Sequence, residues 1–220
     1  PFNQPLDKWD VSNVENMSGM FDTSKFNQPI GNWDVSKVID ISNMFANTPF
    51  NQPLNEWNTV NVANMFNVFA ESKFNQPLNK WDTSNVTSMY AMFAKTPFNQ
   101  PIGNWDTSNV ENMKSMFSHS KFNQPINEWN VSKVTNMDSM FASSEFNQPL
   151  DKWNTKNVKS MEMMFYNSKF NQPIDNWNLY KVDYMRSMFE DNKALEKMPD
   201  WKLNPSVVLE DMFAGTKFEG

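Results

Sequence analysis

One period governs this chain. Tryptophan recurs every 24 residues, at Trp9, Trp33, Trp57, Trp81, Trp105, Trp129, Trp153, Trp177 and Trp201, and phenylalanine recurs on a second register from Phe21 to Phe213, with no insertion or deletion along either series. A fixed period of roughly 20 to 50 residues marks an array of units, each too small to bury its own apolar face, so a continuous core arises only by stacking. The run FNQPLNKWDTSNVTSMYAMFAKTP, Phe74 to Pro97, is one such unit. The expected fold is a repeat solenoid of nine 24-residue coils, with regular repeats over residues 1–193 and a degenerate C-terminal capping repeat over 194–220.

Positions within a coil are numbered from Pro1 to Ser24. Position 2 is Phe in eight successive copies, Phe2 to Phe170, each followed by Asn-Gln-Pro and then Leu or Ile. Proline lacks an N–H and biases the preceding residue away from helix, so this part of the coil is expected to run extended. The Asp or Asn after each Trp from Trp9 to Trp177 can accept from a backbone N–H two residues on and fix a corner there, as at Asp10, Asp34, Asp82 and Asp106.

Positions 14 to 21 admit two readings. Apolar groups at 14, 17, 20 and 21 have helical spacing, and Ser12 with Glu15 would cap a short helix. Alternatively Val-x-x-Met is a short parallel β-strand that pairs with its copies in adjacent coils, and only Met-x-x-Met-Phe forms a short helical turn. The second reading is favoured, because coils must hydrogen-bond to one another somewhere and β-branched Val suits a strand. Strands stacked at about 4.7 to 4.9 Å would set each side chain over its own copy. Trp then stacks on Trp, Phe on Phe, and the Asn3 to Asn171 and Gln4 to Gln172 series can form amide ladders.

The last copy departs from the pattern. Position 2 becomes Ala194 followed by Leu195, and Asn-Gln-Pro becomes Glu196-Lys197-Met198-Pro199, the altered edge expected of a cap. The first copy shows no such decay. The expectation there is that further coils precede Pro1 in a longer protein, or that the open edge receives a partner.

Rows of like groups are poor material for catalysis, which needs unlike groups converging on one point. His119 is the only histidine and cysteine is absent, so no triad, thiolate site or histidine metal site can be assembled, and no cofactor is expected. The Asp row at position 10 is interrupted by Asn58, Asn130, Asn154 and Asn178, which suits turn capping as well as it suits calcium. A net charge of -6 is the wrong sign for nucleic acid or an acidic membrane surface, and no apolar run approaches the roughly 20 residues of a membrane span.

Binding is more readily sought where the repeat does not dictate identity. Position 18 reads Ser18, Ser42, Phe66, Tyr90, Lys114, Asp138, Glu162, Arg186 and Glu210, and position 15 runs from Glu15 through Ile39 and Ala63 to Val207. Ile39, Phe66 and Tyr90, with Lys114 and Arg186 beyond them, form the candidate binding face. The first three are expected to make an exposed apolar stripe.

The run FNQPIGNWDTSNVENMKSMF, Phe98 to Phe117, resembles the bacterial surface-protein repeat of about 25 residues found in mycoplasma lipoproteins and in Listeria and Lactobacillus wall proteins, grouped with BspA-like leucine-rich repeats. The likeness extends over Pro1 to Phe218. It implies a leucine-rich-repeat-like solenoid at the cell surface or outside the cell, without enzymatic activity, acting in adhesion or protein binding. A stalk or filament segment that self-associates end to end is the alternative.

Overall fold

Each coil is built from turns. The computed structural model describes residues 2–219; Pro1 and Gly220, the outermost residues of the first and last copies, lie outside the described residues. Within a coil the chain closes a turn from position 6 to 9 (Trp33 N–H to Ile30 C=O, 3.1 Å) and another from 11 to 14 (Val38 N–H to Val35 C=O, 2.9 Å). Three overlapping turns follow over 17–20, 19–22 and 21–24, as in Met20 to Met17, Asp22 to Gly19 and Ser24 to Phe21.

The first and third of these overlapping turns carry positive φ at their third residue, as type II turns do. All eighteen positive-φ residues of the described chain, from Gly19 and Thr23 to Asp211 and Gly215, occupy positions 19 or 23. The helical turn expected for Met-x-x-Met-Phe is therefore absent. Left-handed residues four apart interrupt any i to i+4 ladder while leaving the apolar groups of 17, 20 and 21 directed inward. Sixteen of the eighteen are not glycine, at a cost of about 1–2 kcal/mol each.

That strain is offset by bonds between coils. The N–H groups of positions 20, 22 and 24 close the overlapping turns, while those of positions 17, 19, 21 and 23 donate to the next coil's carbonyls. Met89, Ala91, Phe93 and Lys95 reach Asn112, Lys114, Met116 and Ser118 at 2.7–3.0 Å. Position 15 bonds the opposite way, Ala63 N–H to Ile39 C=O at 2.9 Å. The expected parallel strand shrinks to one bridge per coil at position 16, running from Asn16 and Asp40 to Tyr184 and Val208. Position 14 ends one turn and position 17 begins the next, so only two residues are free to pair.

Where Pro denies the extended segment a ladder, side chains supply one. Each position-3 Asn from Asn3 to Asn147 accepts the backbone N–H of its copy one coil on through Oδ1, at 2.8–3.0 Å. The following Gln donates Nε2 to the same oxygen at 3.1–3.3 Å. The amide ladder is thus a side chain standing in for a backbone carbonyl, rather than amide stacked on amide. Tryptophan joins likewise: from Trp33 to Trp201 every indole N–H donates to the position-6 carbonyl of the preceding coil at 2.7–3.0 Å.

The core is a bundle of columns. Trp33 to Trp177, Phe26 to Phe170 and Phe45 to Phe189 are all buried, with position 14 Val and the Met columns between them. Like rings in successive coils lie nearly parallel, with centroids 5.4–5.9 Å apart in the position-21 column and 6.3–6.4 Å in the Trp column. That spacing gives offset contact. The tight face contact is made between unlike positions, Phe at 21 against Phe at 2 of the next coil, as in Phe69–Phe74 and Phe93–Phe98 at 3.9 Å. Each such pair adds about 0.5–1.5 kcal/mol to the area it buries.

The last copy slips by one residue and recovers. Leu195, not Ala194, enters the core, and Glu196 N–H takes the Oδ1 of Asn171 that an Asn would take. Register returns at Asp200, whose N–H bonds Asp175 as Lys80 bonds Asn55 and Lys152 bonds Asn127. Buried Asn192 holds the slipped loop, accepting from Ala194 and Leu195 and donating to the Phe170 carbonyl. Phe218 then meets Phe213 edge-on at 6.2 Å.

Candidate functional site

Position 18 lies within the overlapping turns, half in and half out of the surface, so its side chains meet their neighbours in adjacent coils. Phe66 and Tyr90 are both half-buried, with ring centroids 5.1 Å apart and planes at 38°. Ser18 and Ser42 share a hydrogen bond of 2.9 Å. Asp138 is buried and accepts the Glu162 N–H at 2.9 Å, and Arg186 lies 3.9 Å from Glu162 and 3.4 Å from Glu210. Lys114 is half-buried, one coil beyond Tyr90.

The structure therefore brings Phe66, Tyr90 and Lys114 together on successive coils and leaves Arg186 apart, among carboxylates. Ile39 stands in a different column, 48% exposed. The expected stripe of three exposed apolar groups is instead one exposed Ile and a stacked, half-buried aromatic pair, because residues 15 and 18 lie on opposite sides of the bridge at position 16.

A shallow groove of about 520 Å3 opens beside Ile39, lined also by Glu15, Lys37, Asn61, Ala63 and Asn85. Its sequence signal is faint: Ala63 is the smallest residue in the position-15 column. Tyr180 and Tyr184 are also exposed, at positions that other coils fill mainly with small polar groups.

The expected corner after the indole is formed in the first eight copies. Ser12, Ser36 and Ser108 bond Oδ1 of Asp10, Asp34 and Asp106 at 2.9–3.1 Å. The serine hydroxyl, and secondarily its N–H, holds each of these carboxyls below the ordinary value of 3.8. His119 is exposed and contacts the Ser118 hydroxyl at 2.9 Å. Among the described residues no three His, Cys, Asp or Glu side chains gather as a metal site, and no helix is long and apolar enough to cross a membrane.

Among known families, one described as Mycoplasma protein of unknown function, DUF285, matches the chain over residues 1–97, 50–145 and 120–219. The chain belongs to this family. The three overlapping matches to DUF285 cover nearly all of it, each spanning about four coils. No curated protein and no solved structure matches the chain.

Proposed function

We infer that this DUF285 chain is a non-enzymatic scaffold that displays varied side chains for protein binding at a cell surface. The observation that supports this reading is the contrast between an invariant interior and the Phe66–Tyr90–Lys114 column, where identity changes from coil to coil on an unchanging backbone. A rigid array holds such groups at fixed spacing and so lowers the entropy lost on binding. The leucine-rich-repeat-like relationship rests on the row of parallel bridges, and the surface location on the resemblance to surface-protein repeats.

The test is binding of the labelled chain to an array of purified extracellular-matrix and cell-surface proteins. The Phe66→Ser, Tyr90→Ser double variant should lose about tenfold or more in affinity, roughly what two half-buried aromatic contacts supply. Binding at parental strength by that variant would remove the assignment of this column. Protease or antibody access to the chain on intact source cells checks its location.

End-to-end self-association is the second reading. It is favoured by the way the copies already join, each burying its columns against the next, as Phe45 stacks on Phe69 at 5.7 Å; in the 220-residue chain Phe2, Trp9 and Met20 of the first copy are 46%, 55% and 37% exposed, whereas Phe26, Trp33 and Met44 are at most 4% exposed. Sedimentation that shifts with concentration in the parent and not in a Trp9→Glu variant would support it. A monomer at all concentrations would exclude it.

A further inference from the structure

The groove beside Ile39 combines three properties. Its floor is apolar, formed by the exposed Ile39 side chain and the methyl of Ala63. Its rim offers acceptors. The amide nitrogens of Asn61 and Asn85 are committed to the carbonyls of Ser36 and Val60, at 2.6 and 2.7 Å, and among the described residues nothing donates to either Oδ1. Glu15 adds a carboxylate in no ion pair among the described residues, while the neighbouring cation, Lys37, is bonded to Asn13 at 2.7 Å.

The lining itself holds one carboxylate, Glu15, and one ammonium, Lys37. The four copies that build the groove, residues 1–96, hold nine carboxylates against six lysines, a net of -3 within a total of -6. Backbone groups in the position-15 column are already used: Ile39 N–H reaches Glu15 C=O at 2.8 Å and Thr87 N–H reaches Ala63 C=O at 3.0 Å. The groove therefore has no strand edge to offer, and recognition falls to its side chains.

We propose that this groove binds an arginine side chain of a partner polypeptide. A guanidinium presents five donors in one plane, which suits two amide oxygens and a carboxylate spaced along a rim, and its aliphatic stem covers Ile39 and Ala63. In the equivalent places of later coils, Glu111 and Lys159 of the same column carry long side chains where Ala63 leaves space. The proposal rests on the display reading but uses residues apart from the Phe66–Tyr90 column, so either can fail alone.

Methyl NMR offers a selective test. The chain has six isoleucines, of which Ile39 is exposed and Ile30, Ile41, Ile102, Ile126 and Ile174 are buried. Titrating the labelled chain with N-acetyl-arginine methylamide should move the Ile39 methyl alone, saturably and in the millimolar range expected of a single side chain. The citrulline analogue, equal in shape and uncharged, should not move it. Ala63→Lys, which fills the groove, should abolish the shift, and Glu15→Gln should weaken it about fivefold or more, with the other five signals reporting an intact fold. An unmoved Ile39, an equal response to citrulline, or an Ala63→Lys variant that responds like the parent would overturn the proposal.

Discussion

At the scale of single residues, the same side chain has different consequences at different ends of its column. Trp105 is buried and donates its indole N–H to the Leu78 carbonyl at 3.0 Å, whereas Trp9 is mostly exposed. Trp105→Phe removes the donor, strands a buried carbonyl and leaves a void, which together cost about 3 kcal/mol. Trp9→Phe should cost no more than about 0.5 kcal/mol. Urea denaturation followed by circular dichroism compares the two, and equal losses would contradict the column arrangement. A second residue-scale consequence concerns acid. Because the folded-state value of Asp106 is depressed, chiefly by the Ser108 hydroxyl, its contribution is present above the ordinary 3.8 and is lost as pH falls through the lower folded value. Carbon-detected titration of the Asp106 carboxyl in Ser108→Ala should therefore give a value raised toward 3.8; an unchanged value would assign the depression to another cause.

At the scale of the coil, the period fixes where the chain may be cut. Deleting residues 74–97 joins Lys73 to Phe98 and leaves every column continuous, with Asn51 positioned to accept the Asn99 N–H as it now accepts that of Asn75. That variant should unfold cooperatively and keep its near-ultraviolet aromatic signal. Deleting residues 74–85 joins Lys73 to Val86 and removes the Phe, Leu and Trp of one copy without restoring register, so cooperative unfolding should be lost. The Trp and Phe columns that make this prediction possible were legible in the sequence, because core positions recur at fixed residues. The turns were not. Inward groups at 17, 20 and 21 have the spacing of a helix, and overlapping type II turns imitate it; the discriminating sign, left-handed residues at 19 and 23, is blurred by Ala91, Lys95 and Met163 at positions that favour Gly or Asn. The slip that seats Leu195 in the core was equally hidden, since Ala194 holds the nominal place. Of the candidate face, the variation was legible and the groove was not, because its depth comes from the smallness of Ala63 relative to residues 24 positions away.

Across the whole molecule, each coil touches only the coils before and after it, so stability is close to a sum of coil terms and nearest-neighbour interfaces. An interior coil has two interfaces and an edge coil one. In the 220-residue chain opening should accordingly begin at the first and last copies, where Trp9 and Met198 are already exposed, and reach the middle copies last. Native-state hydrogen exchange tests this on equivalent amides. The N–H of Phe93, bonded to Met116 at 3.0 Å, and that of Phe21, bonded to Met44 at 3.0 Å, have the same local geometry and differ in place along the stack. Phe93 should exchange about a hundredfold or more slowly, since three additional interfaces must open before it is freed, and each factor of ten corresponds to about 1.4 kcal/mol. Equal protection at both sites would mean that the array opens as one unit. The gradient bears on binding as well. Phe66 and Tyr90 belong to the third and fourth copies, so in the 220-residue chain their spacing is kept when the first and last copies open.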